Sequence, residues 1–206
     1  DERMKKYREW LSANGFEGNA SLGGSYVSTK IDDHYTTPHD LGYGFMIKFD
    51  HDFIGREALE KIANNKHRVK VTLELNDEDV AKAIASQYGK ENERAKYFDF
   101  PSAVYSMYPQ DLVLSKDGKK QVGVSTWVGY SSNERKELTL AYVEPESATP
   151  GTEVIFVWGE SPNTKKPTVE PHKQVQIRAI VCPVPYVASV RSVYAEGSWR
   201  EKGKAQ

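Results

Sequence analysis

The sequence predicts an α+β protein in which a short α/β segment precedes an antiparallel C-terminal β-barrel. In the first third of the chain, helical periodicities are mixed with short strand-like runs. From residue 67 onward, several segments alternate apolar and polar residues with the period of two that is typical of strands, and turn-rich stretches separate them. We therefore expect two structural units that meet near residues 62–68.

The first unit is predicted from apolar spacing and from breaker residues. Its predicted elements are, in order, a helix over residues 2–13, a strand over 22–29, a strand over 42–49 and a helix over 55–64. In the second helix, Ala58, Leu59 and Ile62 form an apolar stripe, so we expect this helix to serve mainly for packing.

The second unit is predicted from five strand-like runs and one helix. These elements are a strand over residues 67–75, a helix from Asn76 to about Tyr88, and strands over 122–128, 138–142, 154–158 and 175–181. Asn76 is a favourable N-cap, and three acidic residues follow it in the first helical turn. Residues 159–173 are predicted to be an exposed loop and residues 195–206 a frayed tail.

Composition excludes several classes of protein. The 206 residues contain 28 Lys and Arg against 29 Asp and Glu, which argues against a nucleic-acid binder that acts through bulk charge. No run of 18 apolar residues exists, so no membrane span is predicted. The lone Cys182 excludes a disulfide framework and fits a reducing compartment, so we expect a cytoplasmic protein.

The densest group of polar residues raises the question of a metal site. Asp and His residues cluster at 32–34, 39–40 and 50–52. These residue types ligate zinc and iron, but their spacing matches no compact metal motif. We therefore expect capped, solvated turns here and no tightly bound metal.

The pair Gly23 and Gly24 is the more informative feature, because Tyr26 follows it closely. Glycines lack side chains, so the backbone there can approach a ligand or another strand. A tyrosine beside that gap offers a ring for stacking and a hydroxyl that can donate a proton. Tyr26 is therefore a candidate lining residue of a substrate or cofactor cavity, with ordinary core packing as the alternative.

Two longer segments resemble a known family. Residues 37–44 (TPHDLGYG) and 49–59 (FDHDFIGREAL) are similar to the Pro-x-Glu-x-Gly-x-Gly-Trp and Asp-Phe-Ile-Gly-Arg-Glu-Ala-Leu segments of the glycine cleavage T-protein (aminomethyltransferase) family. Asp40 stands near the acidic position of that pattern and Phe45 near the Trp position. The resemblance covers roughly residues 16–187.

Within that family, the chain most resembles tetrahydrofolate-dependent O-demethylases of methoxylated aromatic acids. The stretch from residues 23–26 through 43–44 and the ending at 185–187 carry this likeness. Where T-proteins have Arg-Leu-Glu-Ala-Gly, this chain has residues 21–24 (SLGG), and the missing arginine speaks against glycine cleavage. The resemblance implies three regions: the end of a folate-binding region at 1–66, the C-terminal barrel at 67–187 and a tail at 188–206.

The resemblance also implies a reaction and its partners. The parent protein is expected to move a methyl group from a small donor to N5 of tetrahydrofolate, with its catalytic carboxylates in the upstream remainder of the same protein. This piece alone is expected to be inactive. Tyr26 and Arg191 are the expected folate-binding residues, since the guanidinium could pair with the carboxylates of folate. The alternatives are aminomethyl transfer in glycine cleavage and a barrel module that has lost its chemistry.

Overall fold

The computed structural model describes residues 22–98, 108–160 and 169–194, together with Glu2, Arg3, Lys6, Glu196 and Gly197. Most of the helix predicted over 2–13 lies outside the described residues, as do most of the predicted tail and the centre of the predicted loop. The strands are β1 (Leu22–Gly23), β2 (Val69–Leu75), β3 (Tyr108–Pro109), β4 (Asp111–Ser115), β5 (Gln121–Ser131), β6 (Lys136–Val143), β7 (Glu153–Trp158) and β8 (Val175–Cys182).

The helical elements of the described residues are short. The α-helices are α1 (Arg56–Ile62) and α2 (Asp77–Ala85). Single turns of 3-10 helix span Ile31–His34, Gly44–Met46, Ser86–Tyr88, Glu91–Glu93 and Pro145–Ser147, and a π-helical turn spans Val190–Tyr194. None of the helices among the described residues is long and apolar enough to cross a membrane.

Six strands form a closed barrel in the order β2-β6-β5-β4-β7-β8, with β8 pairing back onto β2. Every neighbouring pair is antiparallel. The predicted α+β class with a C-terminal barrel is therefore confirmed. Closure also leaves no unpaired strand edge in the barrel, which removes a common cause of aggregation.

The barrel interior is filled by alternate residues of each strand, as the period of two requires. Val71, Leu73 and Leu75 of β2 are buried there, and Val113 and Phe156 from β4 and β7 are fully buried against them. The strand predicted over 67–75 thus exists as β2, and Val69 at its start is partly exposed.

Part of the interior is polar. Asp111 and Glu137 lie two residues from the core residues Val113 and Thr139 on their strands, and the Thr139 hydroxyl shares a hydrogen bond with Ser125. Both carboxyl groups are almost completely buried. Burial raises the pKa of Glu137 to about 7. Burial also raises the pKa of Asp111 to about 6, although the nearby Lys96 opposes this shift.

Three expectations for the first unit need correction. The strand predicted over 42–49 is wrong: this stretch is a 3-10 turn whose hydrogen bonds are local, such as that from the Met46 amide to the Tyr43 carbonyl at 2.9 Å. The strand predicted over 22–29 is reduced to two residues, which pair with β3. The predicted helix exists as α1, but Ala58 is exposed and Leu59 only half-buried, so it packs less than expected.

Candidate functional site

The glycine pair, Gly23 and Gly24, lies where residues 22–26 pack against the barrel wall. Gly23 accepts a hydrogen bond from the Gln110 amide at 2.8 Å, and the Tyr26 amide donates to the Gln110 carbonyl at 2.9 Å. Gly24 has a φ of +94°, and a Cβ on it would lie 2.2 Å from the Gln110 carbonyl oxygen. The close backbone approach that the pair predicted is therefore an approach to the strand region around Gln110.

Hydrogen bonds of Ser25 hold the backbone next to Tyr26 in place. The Ser25 hydroxyl donates to the Val157 carbonyl at 2.6 Å and accepts from the Leu112 amide at 2.7 Å. Its own amide donates to the buried Asp111 carboxylate at 3.0 Å. These bonds join Ser25 to β4 and β7, so the backbone that carries Tyr26 is held by the barrel.

Gly24→Ala should destabilise the protein by about 1 to 3 kcal/mol, because a residue with a side chain is strained at positive φ. The contact with the Gln110 backbone should add to that loss, since neither backbone can easily move. Urea unfolding measures the change. Gly151→Ala is the matched control: its φ of +92° imposes similar strain, but nothing lies within 4 Å of its added Cβ. An equal loss in both variants would mean that the close approach contributes nothing.

The Tyr26 ring is half-buried and contacts His34 edge-on, with 5.1 Å between the ring centroids. His34 is fixed in turn by Gln110: their Nδ1 and Oε1 atoms are 2.5 Å apart, and the Gln110 side-chain amide donates to the His34 carbonyl at 3.0 Å. Gln110 therefore holds both sides of this aromatic pair.

Tyr26 also lies close to a group of charged residues on the outer wall of the barrel. Arg68 donates two hydrogen bonds to Asp40, from Nε and Nη2, both at 3.1 Å. The Arg68 guanidinium lies 4.1 Å from the ring centroid of the buried Tyr142. Burial raises the pKa of Tyr142, although the positive charge of Arg68 opposes this shift. We call Tyr26, His34, Asp40, Arg68 and Tyr142 the tyrosine–arginine cluster.

The charge of Asp40 is stable within this cluster. Burial by itself would raise the pKa of its carboxyl group, but hydrogen bonds from Arg68 and Thr37 outweigh burial and the pKa is lowered. The Thr37 amide and hydroxyl donate to Asp40 Oδ2 at 3.0 and 2.9 Å. Asp40 therefore stays ionised near neutral pH and fastens the 37–40 turn to Arg68.

Arg191, the other predicted folate-binding residue, occupies a different environment. It is exposed in the π-helical turn that follows β8, and its Nη1 atom donates to the carbonyls of Pro185 and Tyr186. The Tyr186 hydroxyl donates to the Glu74 carboxylate at 2.7 Å. These bonds join Arg191 to the segment that follows β8, and Tyr186 in turn joins that segment to β2.

Sequence reasoning missed Arg68 and Tyr142 as site residues. Arg68 immediately precedes β2, and Tyr142 stands on β6 between the core residues Ala141 and Val143, so its side chain faces outward. Polar residues at such outward positions are usually solvated. The polar turn at 37–40 could have indicated them. If this turn lies against the outer wall of the barrel, the Asp40 carboxylate needs a positively charged partner on that wall. Asp40 itself was noted for its place in the family pattern and in the group of Asp and His residues, not as a partner of an arginine.

Several of the Asp and His residues that raised the metal question contact other side chains. His39 stacks on His67 with 4.0 Å between ring centroids, His51 contacts Asp50 at 2.8 Å, and Asp52 accepts from Arg56 at 3.2 Å. In the part of the chain that the structure describes, no three side chains of the ligand types His, Cys, Asp or Glu come together around a metal position.

A pocket of about 500 Å³ lies away from the cluster, beside the N-terminus of α2. Lys136 on its wall contacts Glu74 at 3.1 Å and Asp77 at 2.6 Å. Arg178 is likewise paired, with Asp79 at 2.8 Å. Since these charges neutralise one another, the pocket does not present one sign of charge to a ligand.

Comparison with known proteins gives this geometry a context. No family model matches the chain. Over 203 residues, the chain is 58% identical to syringate O-demethylase of Sphingobium sp. (strain NBRC 103272 / SYK-6), an alignment that covers 98% of this chain and 43% of that enzyme. The chain is a relative of syringate O-demethylase. This likeness confirms the resemblance to O-demethylases that the sequence motifs predicted.

Two further likenesses are more distant. Over 160 residues, the chain is 35% identical to sesamin methylene transferase of Sinomonas sp. (strain No.22), covering 73% of this chain and 33% of that protein. The glycine cleavage system aminomethyltransferase T from Bartonella henselae aligns with a TM-score of 0.45 at 16% identity, over 74% of this chain and 32% of that one. The chain therefore spans less than half the length of the curated relatives that it matches.

Proposed function

We propose that this chain is the C-terminal part of a tetrahydrofolate-dependent methyltransferase that demethylates a methoxylated aromatic acid. The observation that carries the proposal is the 58% identity to syringate O-demethylase over nearly the whole chain. The division into a folate-binding end at 1–66, a barrel at 67–187 and a tail at 188–206 is part of the same proposal. The expected cytoplasmic location stays a prediction.

Tyr26 and Arg191 are chemically suited to binding tetrahydrofolate. Tetrahydrofolate offers a planar pterin and a carboxylate tail, and its N5 is the atom that accepts the methyl group. The half-buried ring of Tyr26 is of the type that stacks on a planar ligand, and the exposed Arg191 guanidinium is of the type that pairs with carboxylates. The residues therefore fit this cofactor in kind.

In the proposed reaction, the bond between the methyl carbon and the aryl oxygen breaks. The oxygen leaves with the electron pair and must take up a proton. Tetrahydrofolate, when bound, would supply N5 as the acceptor of the methyl group and would release its N5 proton. The Tyr26 hydroxyl is the proposed proton donor to the leaving oxygen. Two features orient that hydroxyl. His34 contacts the Tyr26 ring, and the hydrogen bond from the Ser25 hydroxyl to the Val157 carbonyl fixes the backbone next to Tyr26.

The direct test supplies the full-length protein with syringate and tetrahydrofolate. We expect equal amounts of 5-methyltetrahydrofolate and demethylated acid by mass spectrometry, and no turnover with this chain alone. Transfer of a methylene group from sesamin instead would favour the activity named for the second relative. Folate-dependent transfer from an aminomethyl carrier would favour glycine cleavage, and no transfer from any donor would favour a non-catalytic barrel module.

Tyr26→Phe in the full-length protein should lower kcat about 10²-fold or more if the hydroxyl donates the proton, because general acid catalysis contributes about that much. The ring remains, so KM should change little. Tyr88→Phe, at an exposed tyrosine away from the cluster, is the matched control. Unchanged kcat in Tyr26→Phe would remove the hydroxyl from the reaction.

Arg191→Ala should weaken tetrahydrofolate binding by about 1.5 to 3 kcal/mol if the guanidinium pairs with a carboxylate. Isothermal titration of the full-length protein measures this. Arg94→Ala is the control, since Arg94 is also exposed and also donates to a backbone carbonyl, that of Gly89 at 3.0 Å. Equal affinities in the wild type and Arg191→Ala would exclude this residue from the folate site.

A further inference from the structure

We propose that four exposed apolar residues of the segment 43–54 form a docking surface for another domain of the same polypeptide. The residues are Tyr43, Phe45, Met46 and Ile54, and we call them the apolar surface. The proposal shares with the proposed function only the premise that this chain is part of a longer protein. It does not depend on which reaction that protein catalyses.

The first argument is exposure. Phe45 is 75% exposed, Met46 is 64% exposed and Ile54 is completely exposed, while Tyr43 is half exposed. Burying large apolar side chains is the dominant favourable contribution to most protein association. Four such residues within twelve positions are typical of an interaction surface rather than of scattered exposed side chains.

The second argument is that the segment is held in place while its apolar side chains face outward. At its start, Asp40 is fastened to Arg68 by two hydrogen bonds, and the Lys70 ammonium lies 5.3 Å from the centroid of the Tyr43 ring. A preformed surface loses little conformational entropy when a partner binds.

Contacts within the segment also hold its second half in place. Phe49 and Phe53 stack with 6.3 Å between their ring centroids. Arg56 at the start of α1 donates to the His51 carbonyl at 3.1 Å and closes the second turn.

The third argument identifies the occupant. Syringate O-demethylase contains a close counterpart of nearly this whole chain within a protein more than twice as long, since the match covers 43% of it. Sesamin methylene transferase also extends well beyond the matched part. A domain joined to this chain in the same polypeptide is therefore available to cover the surface. Lys48, Asp50 and Asp52 give it the polar rim that is usual for protein interfaces.

The test compares this chain with a chimera that joins it to the part of syringate O-demethylase that it does not match. We expect Phe45→Glu with Ile54→Glu to leave thermal melting of this chain alone unchanged, because both side chains are already exposed. In the chimera the same pair should lower the melting temperature by at least about 2 °C. Tyr88→Glu, at a 92% exposed tyrosine elsewhere, should be neutral in both. Equal behaviour of the double variant in both backgrounds would overturn the proposal.

A second measurement uses proteins that need no redesign. Hydrogen exchange of residues 43–54 in this chain is compared with exchange of the aligned peptide in intact syringate O-demethylase. We expect exchange at least about tenfold slower in the intact enzyme, which corresponds to about 1.4 kcal/mol of protection. Equal rates would overturn the proposal. So would sedimentation that shows a dimer of this chain dissociated by Phe45→Glu, because a second copy would then be the occupant.

Discussion

Arg68→Ala should lower the free energy of unfolding by about 2 to 4 kcal/mol, because it leaves the buried Asp40 carboxylate without its partner. Removing one member of a buried ion pair is strongly destabilising, and the value is reduced here since Arg68 keeps some exposure to solvent. The variant also loses the contact with the Tyr142 ring. Urea unfolding near neutral pH measures the change.

Three comparisons separate the causes of that loss. Arg68→Lys keeps the charge but not the two parallel hydrogen bonds, so it should recover only part of the stability. Asp40→Asn removes the buried charge. In the double variant Arg68→Ala with Asp40→Asn, the loss should therefore be smaller than the sum of the single losses. Additive losses would show that the pair is not coupled.

The pair also predicts a dependence on acid. Because the pKa of Asp40 is lowered in the folded protein, its contribution is present above the ordinary carboxyl pKa and is lost as the pH falls through the lowered value. The stability difference between the wild type and Asp40→Asn should therefore shrink below about pH 4. A difference that stays constant down to pH 2 would contradict the lowered pKa.

Glu137→Gln should stabilise the protein at alkaline pH. The pKa of Glu137 is raised from 4.5 to about 7 by burial, so the folded protein binds its proton more tightly than the unfolded chain does. Stability then falls as the pH rises from about 4.5 to 7, and the loss is complete above that range. The neutral amide avoids the loss, so at pH 8 the variant should be more stable than the wild type by roughly 2 to 3 kcal/mol.

Unfolding in urea at pH 5 and at pH 8 tests this expectation. The advantage of Glu137→Gln should be small at pH 5, where the buried carboxyl is already protonated. Glu57→Gln, at an exposed position of α1, is the control and should show no change with pH. An advantage of equal size at both pH values would assign the effect to packing rather than to ionisation.

The barrel could be predicted from the sequence because its strands repeat a simple physical pattern. Residues such as Leu73 and Ile177 must alternate with polar neighbours if one side of a strand is buried, and that alternation is visible without coordinates. Asn76 was correctly assigned as a cap: its side chain accepts from the Asp79 amide at 3.1 Å. Strand β4 was missed because its run is short and begins with the buried Asp111.

The site could be predicted less well because its contacts are long-range. Tyr26 was chosen for its neighbouring glycines, but its contacts with His34 and Gln110 depend on how residues 22–26 cross the barrel wall. The run 42–49 has strand-like composition, yet it pairs with none of the strands among the described residues and contains a 3-10 turn at Gly44–Met46. Composition cannot show whether a partner strand is near.

The pairing of β8 with β2 has a consequence for how the barrel is made. The first and last strands of the barrel are neighbours, with Leu73 opposite Val181, so the ring closes only across a long chain separation. Contacts of this kind form late and slow the folding reaction. During synthesis, the edge of β2 that pairs with β8 therefore stays unpaired until β8 has left the ribosome. Truncation before Val175 would leave that edge unpaired permanently.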